Sequence, residues 1–222
     1  MRAGSASSEA DKPILRGWLH LVCFFLALPT AIWVILVASS AIARAAAVVY
    51  GLGLVALFGV SGSYHRGRWG PVWKPRLRRL DHSMIFVMIA GSYTPLCLVV
   101  LDGWVGLAML IAVWTGAAVR VVLAWQPGRP RAIARNSLYI LLGWAAVATG
   151  PQMVAGLDPT QLALMVGGGV LFTVGALSFA TRWPNPAPRV FGYHEVWHVL
   201  VVAAVLCQLL AISSIVGSAP PA

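Results

Sequence analysis

HEVWHVLVVAAVLCQLLAISSIV, residues 194–216, decides the fold. After its first five residues the stretch is almost wholly apolar. A helix needs about 20 such residues to cross the ~30 Å hydrocarbon core of a bilayer. Lipid offers no partner for backbone N–H and C=O groups, so a spanning segment must satisfy them internally, as a helix does. Six further apolar blocks of similar length precede it: Gly17–Val37, Ala45–Tyr64, His82–Leu101, Trp104–Leu123, Asn136–Ala155 and Gln161–Ala180. Strands of a membrane barrel would be about half as long and alternate in polarity. The reading is therefore all-α: an integral membrane bundle of seven transmembrane helices.

Composition agrees. The 222 residues are 59% hydrophobic and only 10% charged, against about 25% charged in a soluble domain. The net charge of +10 would suit nucleic acid in a soluble protein. Here the basic residues sit in short loops between apolar blocks rather than on one face, so no nucleic-acid partner is expected. With the N-terminus inside, 15 of the 16 Lys and Arg residues fall on the inner side. They are Arg2, Lys12 and Arg16; Arg66, Arg68, Lys74, Arg76, Arg78 and Arg79; Arg120, Arg129, Arg131 and Arg135; and Arg182 and Arg189. Only Arg44 lies opposite, with Asp102 and Asp158. This asymmetry predicts a cytoplasmic N-terminus and, with seven spans, an extracytoplasmic C-terminus.

The organisation is simple: a polar, mobile tail over 1–16, one membrane domain over 17–216 and a short tail over 217–222. Ala41-Ile42-Ala43 resembles a signal-peptide cleavage site, but the run before it is longer than the ~7–15 apolar residues of a signal core, which predicts a retained helix. Cys23, Cys97 and Cys207 lie in apolar blocks without Cys-x-x-Cys spacing and read as packing. Pro29, Pro95, Pro151 and Gly167-Gly168-Gly169 read as kinks and close helix contacts. The basic loop Arg66–Arg79 reads as an anchor facing anionic head groups. Membrane lipids are the expected partners, and the sequence leaves the oligomeric state open.

Chemistry concentrates at the inner ends of three blocks. His65 ends the second, Asp81 precedes the third, and His194 and His198 open the seventh. Ionisable groups within spans are costly and by default mark function. His194 and His198 are one helical turn apart on one face, as a shared metal ion requires. Ser61 has the same spacing from His65, one turn deeper. Three histidine ligands with an open fourth position describe a catalytic zinc site, and Asp81 is placed to act on the water there. Ser61 either joins that site or bonds its own backbone. His20 and His82 read as hydrogen-bonding residues of the bundle. His194-Glu195-x-x-His198 also spells H-E-x-x-H, the zinc-protease signature with Glu as base. Its third ligand would have to come from an earlier helix, which makes proteolysis the lesser reading.

Ser61-Gly-Ser-Tyr-His65, Arg79-Leu-Asp81-His82-Ser-Met-Ile-Phe, Ile89-Ala-Gly-Ser-Tyr-Thr-Pro95 and His194-Glu-Val-Trp-His198-Val together resemble the bacterial hemolysin III family, grouped with the progestin and adipoQ receptors. The resemblance runs from the second block to the seventh, and His20 also fits it. It implies a seven-helix bundle with its N-terminus in the cytoplasm and zinc held by His65, His194 and His198. It also implies a water held at Asp81, with Ser61 beside it. Animal relatives are linked to hydrolysis of the ceramide amide bond; bacterial ones carry a hemolysin label and are linked to membrane energetics. The long cytoplasmic region of the animal receptors has no counterpart before residue 17, so hormone signalling is not expected. The leading expectation is a zinc-dependent hydrolase of a lipid amide in the cell membrane. The alternative is a non-enzymatic membrane-stress regulator or cytolytic protein with structural zinc.

Overall fold

The structure, a computed structural model, describes residues 12–126 and 139–219. Arg2, Arg129, Arg131 and Arg135, the start of the Asn136–Ala155 block and the last three residues lie outside that range. The helices in chain order are α1 (Trp18–Val37), α2 (Ala41–Arg66), α3 (Trp73–Pro95), α4 (Gly103–Trp125), α5 (Gly150–Gly156), α6 (Pro159–Thr181) and α7 (Tyr193–Gly217). All but α5 are long and apolar enough to cross a membrane, which gives six spans among the described residues. No β-sheet occurs there, only an isolated bridge between Ala187 and Phe191.

The third helix starts earlier than its apolar block. It begins at Trp73, so Asp81 lies two turns inside α3 rather than at its start. Pro75 is tolerated because first-turn residues have no intrahelical acceptor for an N–H. Trp73 is exposed beside Lys74 and Arg76, the aromatic and basic mixture favoured at a membrane interface. At the far end Pro95 interrupts the α pattern. One π turn, Leu96–Val100, follows, closed by the Leu101 N–H donating to the Leu96 carbonyl at 2.9 Å.

The fifth block is broken rather than continuous. Helical residues 139–143 give way to a 3₁₀ stretch, Ala145–Thr149, and then to α5 with Pro151 in its first turn. Tyr93 explains the break. Its hydroxyl donates to the Gly143 carbonyl and accepts the Ala146 N–H, both at 2.8 Å. A side chain that inserts into the backbone ladder in this way diverts its bonds and bends the helix.

Small residues set the closest helix contacts. A Cβ on Gly51 would come within 2.9 Å of Ala31 on α1, and one on Gly168 within 3.2 Å of the Ala204 carbonyl on α7. These contacts hold α1 on α2 and α6 on α7. The interior is apolar, centred on Val34, Tyr50, Leu54, Val205 and Ile212. The outer faces are apolar too: Phe25, Leu26, Ile32 and Leu36 of α1 and Trp104, Leu107 and Ile111 of α4 are exposed. Water-soluble monomers rarely present such a surface, whereas lipid covers it without cost.

Candidate metal centre

Two helices supply three imidazoles. His65 lies in the last turn of α2, and His194 and His198 lie on consecutive turns at the start of α7. The Nε2 atoms of His65 and His194 are 3.3 Å apart. With His198 the three ligand nitrogens all lie within 4.8 Å of one another. Imidazole nitrogens that face each other so closely repel unless a proton or a cation lies between them. In a tetrahedral site with Zn–N bonds of about 2.0–2.1 Å, neighbouring nitrogens sit roughly 3.3 Å apart. The donor set fits a divalent ion of the kind that histidine binds, and the His65–His194 pair already has the spacing of such a site.

Asp81 approaches from α3. Its Oδ2 is 3.9 Å from His65 Nε2, and Ser61 lies beside its carboxyl group. A carboxylate only accepts hydrogen bonds, so a Ser61 hydroxyl turned toward Asp81 donates to it and leaves its own oxygen to accept. His20 Nδ1 lies 2.8 Å from Ser61 Oγ and donates to it in the tautomer that carries its proton on that nitrogen. The His20 ring also stacks on His198, with centroids 3.8 Å apart and planes 27° apart. The expectation that His20 bonds within the bundle is met, but its bond goes to the centre itself.

His82 donates from Nδ1 to the Arg78 carbonyl at 2.7 Å, a bond within its own helix. That nitrogen also stands 3.8 Å from Asp81 Oδ2, and His82 lines the same cavity as Asp81, Ser61 and His194. So does Arg120, which the charge asymmetry had explained only as an inner-side residue. It is 5% exposed on α4, its guanidinium 5.3 Å from the Phe86 ring centroid. The available signal was a charge three residues inside the apolar block Trp104–Leu123, which is costly unless it serves a polar site.

Glu195, the base that the H-E-x-x-H reading requires, is committed elsewhere. Arg16 Nε donates to its Oε1, and the Gly192 N–H donates to its Oε2 at 2.8 Å. It does not line the cavity that holds His194 and His198. A second cavity, mostly apolar, lies deeper in the bundle. It shares Leu57, Ile85, Tyr139, Trp197 and Val201 with the first.

Membrane-length helices around a partly buried cluster of three histidines and an aspartate define a multi-pass membrane protein with a histidine-based centre at one end. Residues 8–209 match the pattern of the family described as "Haemolysin-III related", and the chain belongs to that family. It is 30% identical over 190 residues to Hemolysin-3 of Bacillus cereus, covering 82% of each chain. It is 29% identical over 129 residues to the Hemolysin-3 homolog of Bacillus subtilis (strain 168), covering 58% of each. The monocyte to macrophage differentiation factor of Homo sapiens is 27% identical over 173 residues, which covers 74% of this chain and 67% of that protein.

Proposed function

We propose that the chain is a zinc-dependent hydrolase of lipid amide bonds, a seven-span protein of the cell membrane. The broken segment 139–156 then belongs to the fifth span, the N-terminus is cytoplasmic and the C-terminus extracytoplasmic. The charge asymmetry of the sequence, with 15 of the 16 basic residues expected on the inner side, supports that orientation and a site near the cytoplasmic face. The observation that carries the reading is the convergence of three imidazoles opposite Asp81, with His65 Nε2 and Asp81 Oδ2 3.9 Å apart.

His65, His194 and His198 would hold the ion. When bound, zinc acidifies water and polarises a carbonyl oxygen. Asp81 accepts the proton of the attacking water at Oδ2 and returns it to the departing amine. Ser61, held by His20, turns its hydroxyl from Asp81 to the oxygen of the substrate carbonyl once Asp81 carries that proton. The deeper apolar cavity suits an acyl chain, and Leu57, Ile85 and Val201 line its junction with the centre. Arg120, on the wall of the centre's own cavity, gives it a fixed positive charge for a polar head group. A protease reading has no support, because both oxygens of Glu195 are engaged away from the cavity.

The test is release of fatty acid from ceramide-class lipids by the purified protein loaded with zinc. His194→Ala should abolish it, and turnover at the wild-type rate in that variant would refute the mechanism. The name Hemolysin-3 borne by the Bacillus cereus relative favours a second reading, membrane lysis with zinc as a staple. Dye leakage from liposomes that persists in Asp81→Asn would support lysis over hydrolysis.

A further inference from the structure

The segment before α1 is fastened to both helices that supply the three imidazoles. Ile14 and Leu15 donate backbone N–H groups to the carbonyls of Arg189 and Val190, at 3.0 and 3.1 Å. That lays the segment along the connection between α6 and α7. Arg16 then pairs with Glu195, which sits between His194 and His198 in sequence and is 5% exposed. Glu195 has a second duty, since its other oxygen accepts the N–H of Gly192 where α7 begins.

Across the centre the same segment meets the end of α2. Gly17 adopts φ 79°, the left-handed region that glycine enters without strain. A Cβ there would overlap the His65 side chain. Trp18, the next residue, carries the Arg66 guanidinium over its ring, 4.4 Å from the centroid. Six residues, Pro13–Trp18, thus touch 65–66 on one side and 189–195 on the other.

α2 and α7 are far apart in sequence, so the backbone alone does not fix how closely His65 meets His194. A buried ion pair is directional and is costly to break, because the abandoned charge stays in apolar surroundings. Without Arg16, the Glu195 carboxylate must turn out toward water and draw the first turn of α7 with it. That turn carries His194. Removing a group that orients a metal ligand commonly costs about 10- to 100-fold in metal affinity.

We propose that Pro13–Gly17 is a clasp for the metal centre, with Arg16 a positioning residue that acts through Glu195 and slows release of the ion. The clasp rests on the zinc reading given above, and the experiment separates the two. Full-length protein is loaded with zinc in detergent micelles, and its release to a high-affinity chelator is timed. Arg16→Ala should release zinc roughly 10- to 100-fold faster than wild type. Arg16→Lys, which keeps the charge, should fall between them. Arg189→Gln should match wild type, because the clasp uses only that residue's carbonyl. Hydrogen exchange at the Ile14 and Leu15 amides should speed up in Arg16→Ala, which a change confined to α7 would not produce.

Should Arg16→Ala fail to fold, Glu195→Gln carries the test. Its amide oxygen still accepts the Gly192 N–H, and the one charge left without its partner, that of Arg16, is 19% exposed and within reach of water. Fast release from Glu195→Gln supports the clasp. Release at the wild-type rate from every variant that binds zinc overturns the clasp and leaves the centre standing. Wild-type protein that takes up no zinc overturns both.

Discussion

The two ends of the bundle use their polar side chains differently. At the end away from the basic loops, most polar groups serve their own neighbourhood. Ser40 accepts the N–H of Ala43, three residues on, and Asp158 accepts those of Thr160 and Gln161. Gln161 in turn accepts the Asp158 N–H, which completes a capping box. Ties to α7 come from Ser39, whose hydroxyl and N–H both donate to the Val216 carbonyl, and from Gln161, which donates to Ser214. At the basic end the ties that build the centre are remote: 41 residues separate His20 from Ser61, 129 separate His65 from His194, and 179 separate Arg16 from Glu195. One end finishes helices and the other assembles a site. Local bonds satisfy groups that any helix terminus leaves open. The remote ones converge on a point that no helix needs for its own stability.

That contrast breaks if substitutions at the two ends act alike. The largest effect is expected for His198→Ala. Metal analysis should find zinc lost from the purified protein, and lipid turnover should vanish with it. Asp81→Asn comes next. The amide keeps the shape but cannot take a proton, so turnover should fall by about 10²- to 10⁴-fold, while the zinc content equals wild type. Loss of zinc in Asp81→Asn would make Asp81 a ligand rather than a proton carrier. His20→Phe sharpens the comparison further. Phenylalanine preserves a ring against His198 but gives Ser61 no donor, so turnover should drop about tenfold, the worth of one hydrogen bond of roughly 1.4 kcal/mol, with zinc retained.

Much of the basic end was legible in the sequence for a physical reason. Charged and imidazole side chains are so unfavourable in an apolar span that those present stand out, and helical spacing fixes the face on which His194 and His198 lie. Depth followed from the loops, which placed His65 and Asp81 at the same level. What composition could not give was lateral arrangement. Whether Arg120 points to lipid or inward depends on how α4 packs, and α4 is apolar all round. The break in the fifth block was hidden because its cause, the Tyr93 hydroxyl, sits 50 residues away. The last residues of the polar tail, read as mobile, are held because Ile14, Leu15 and Arg16 find partners near position 190. Each of these features depends on a distant partner, whereas hydropathy and periodicity report only on neighbours.

The smallest predicted effect tests the opposite end. In Asp158→Ala the N–H groups of Thr160 and Gln161 lose their acceptor, and Gln161 has no capping box to complete. Loss of a helix cap costs about 1 kcal/mol, and for a chain of 150–250 residues that lowers the melting temperature by about 2–4 °C. Asp158 is exposed, so water replaces part of what the carboxylate supplied and holds the cost near the lower figure. Zinc content, its release rate and lipid turnover should all equal wild type, because the cap acts on the first turn of α6, at the end of that helix remote from Phe179 and the centre. The measurement is a thermal melt beside a zinc-release assay on the same preparation. A modest shift in the melt with unchanged release confirms that the ends are independent. Faster zinc release in Asp158→Ala would show that α6 transmits strain along its length to Phe179, whose ring lies 5.2 Å from that of His194. The division between a structural end and a chemical end would then be lost.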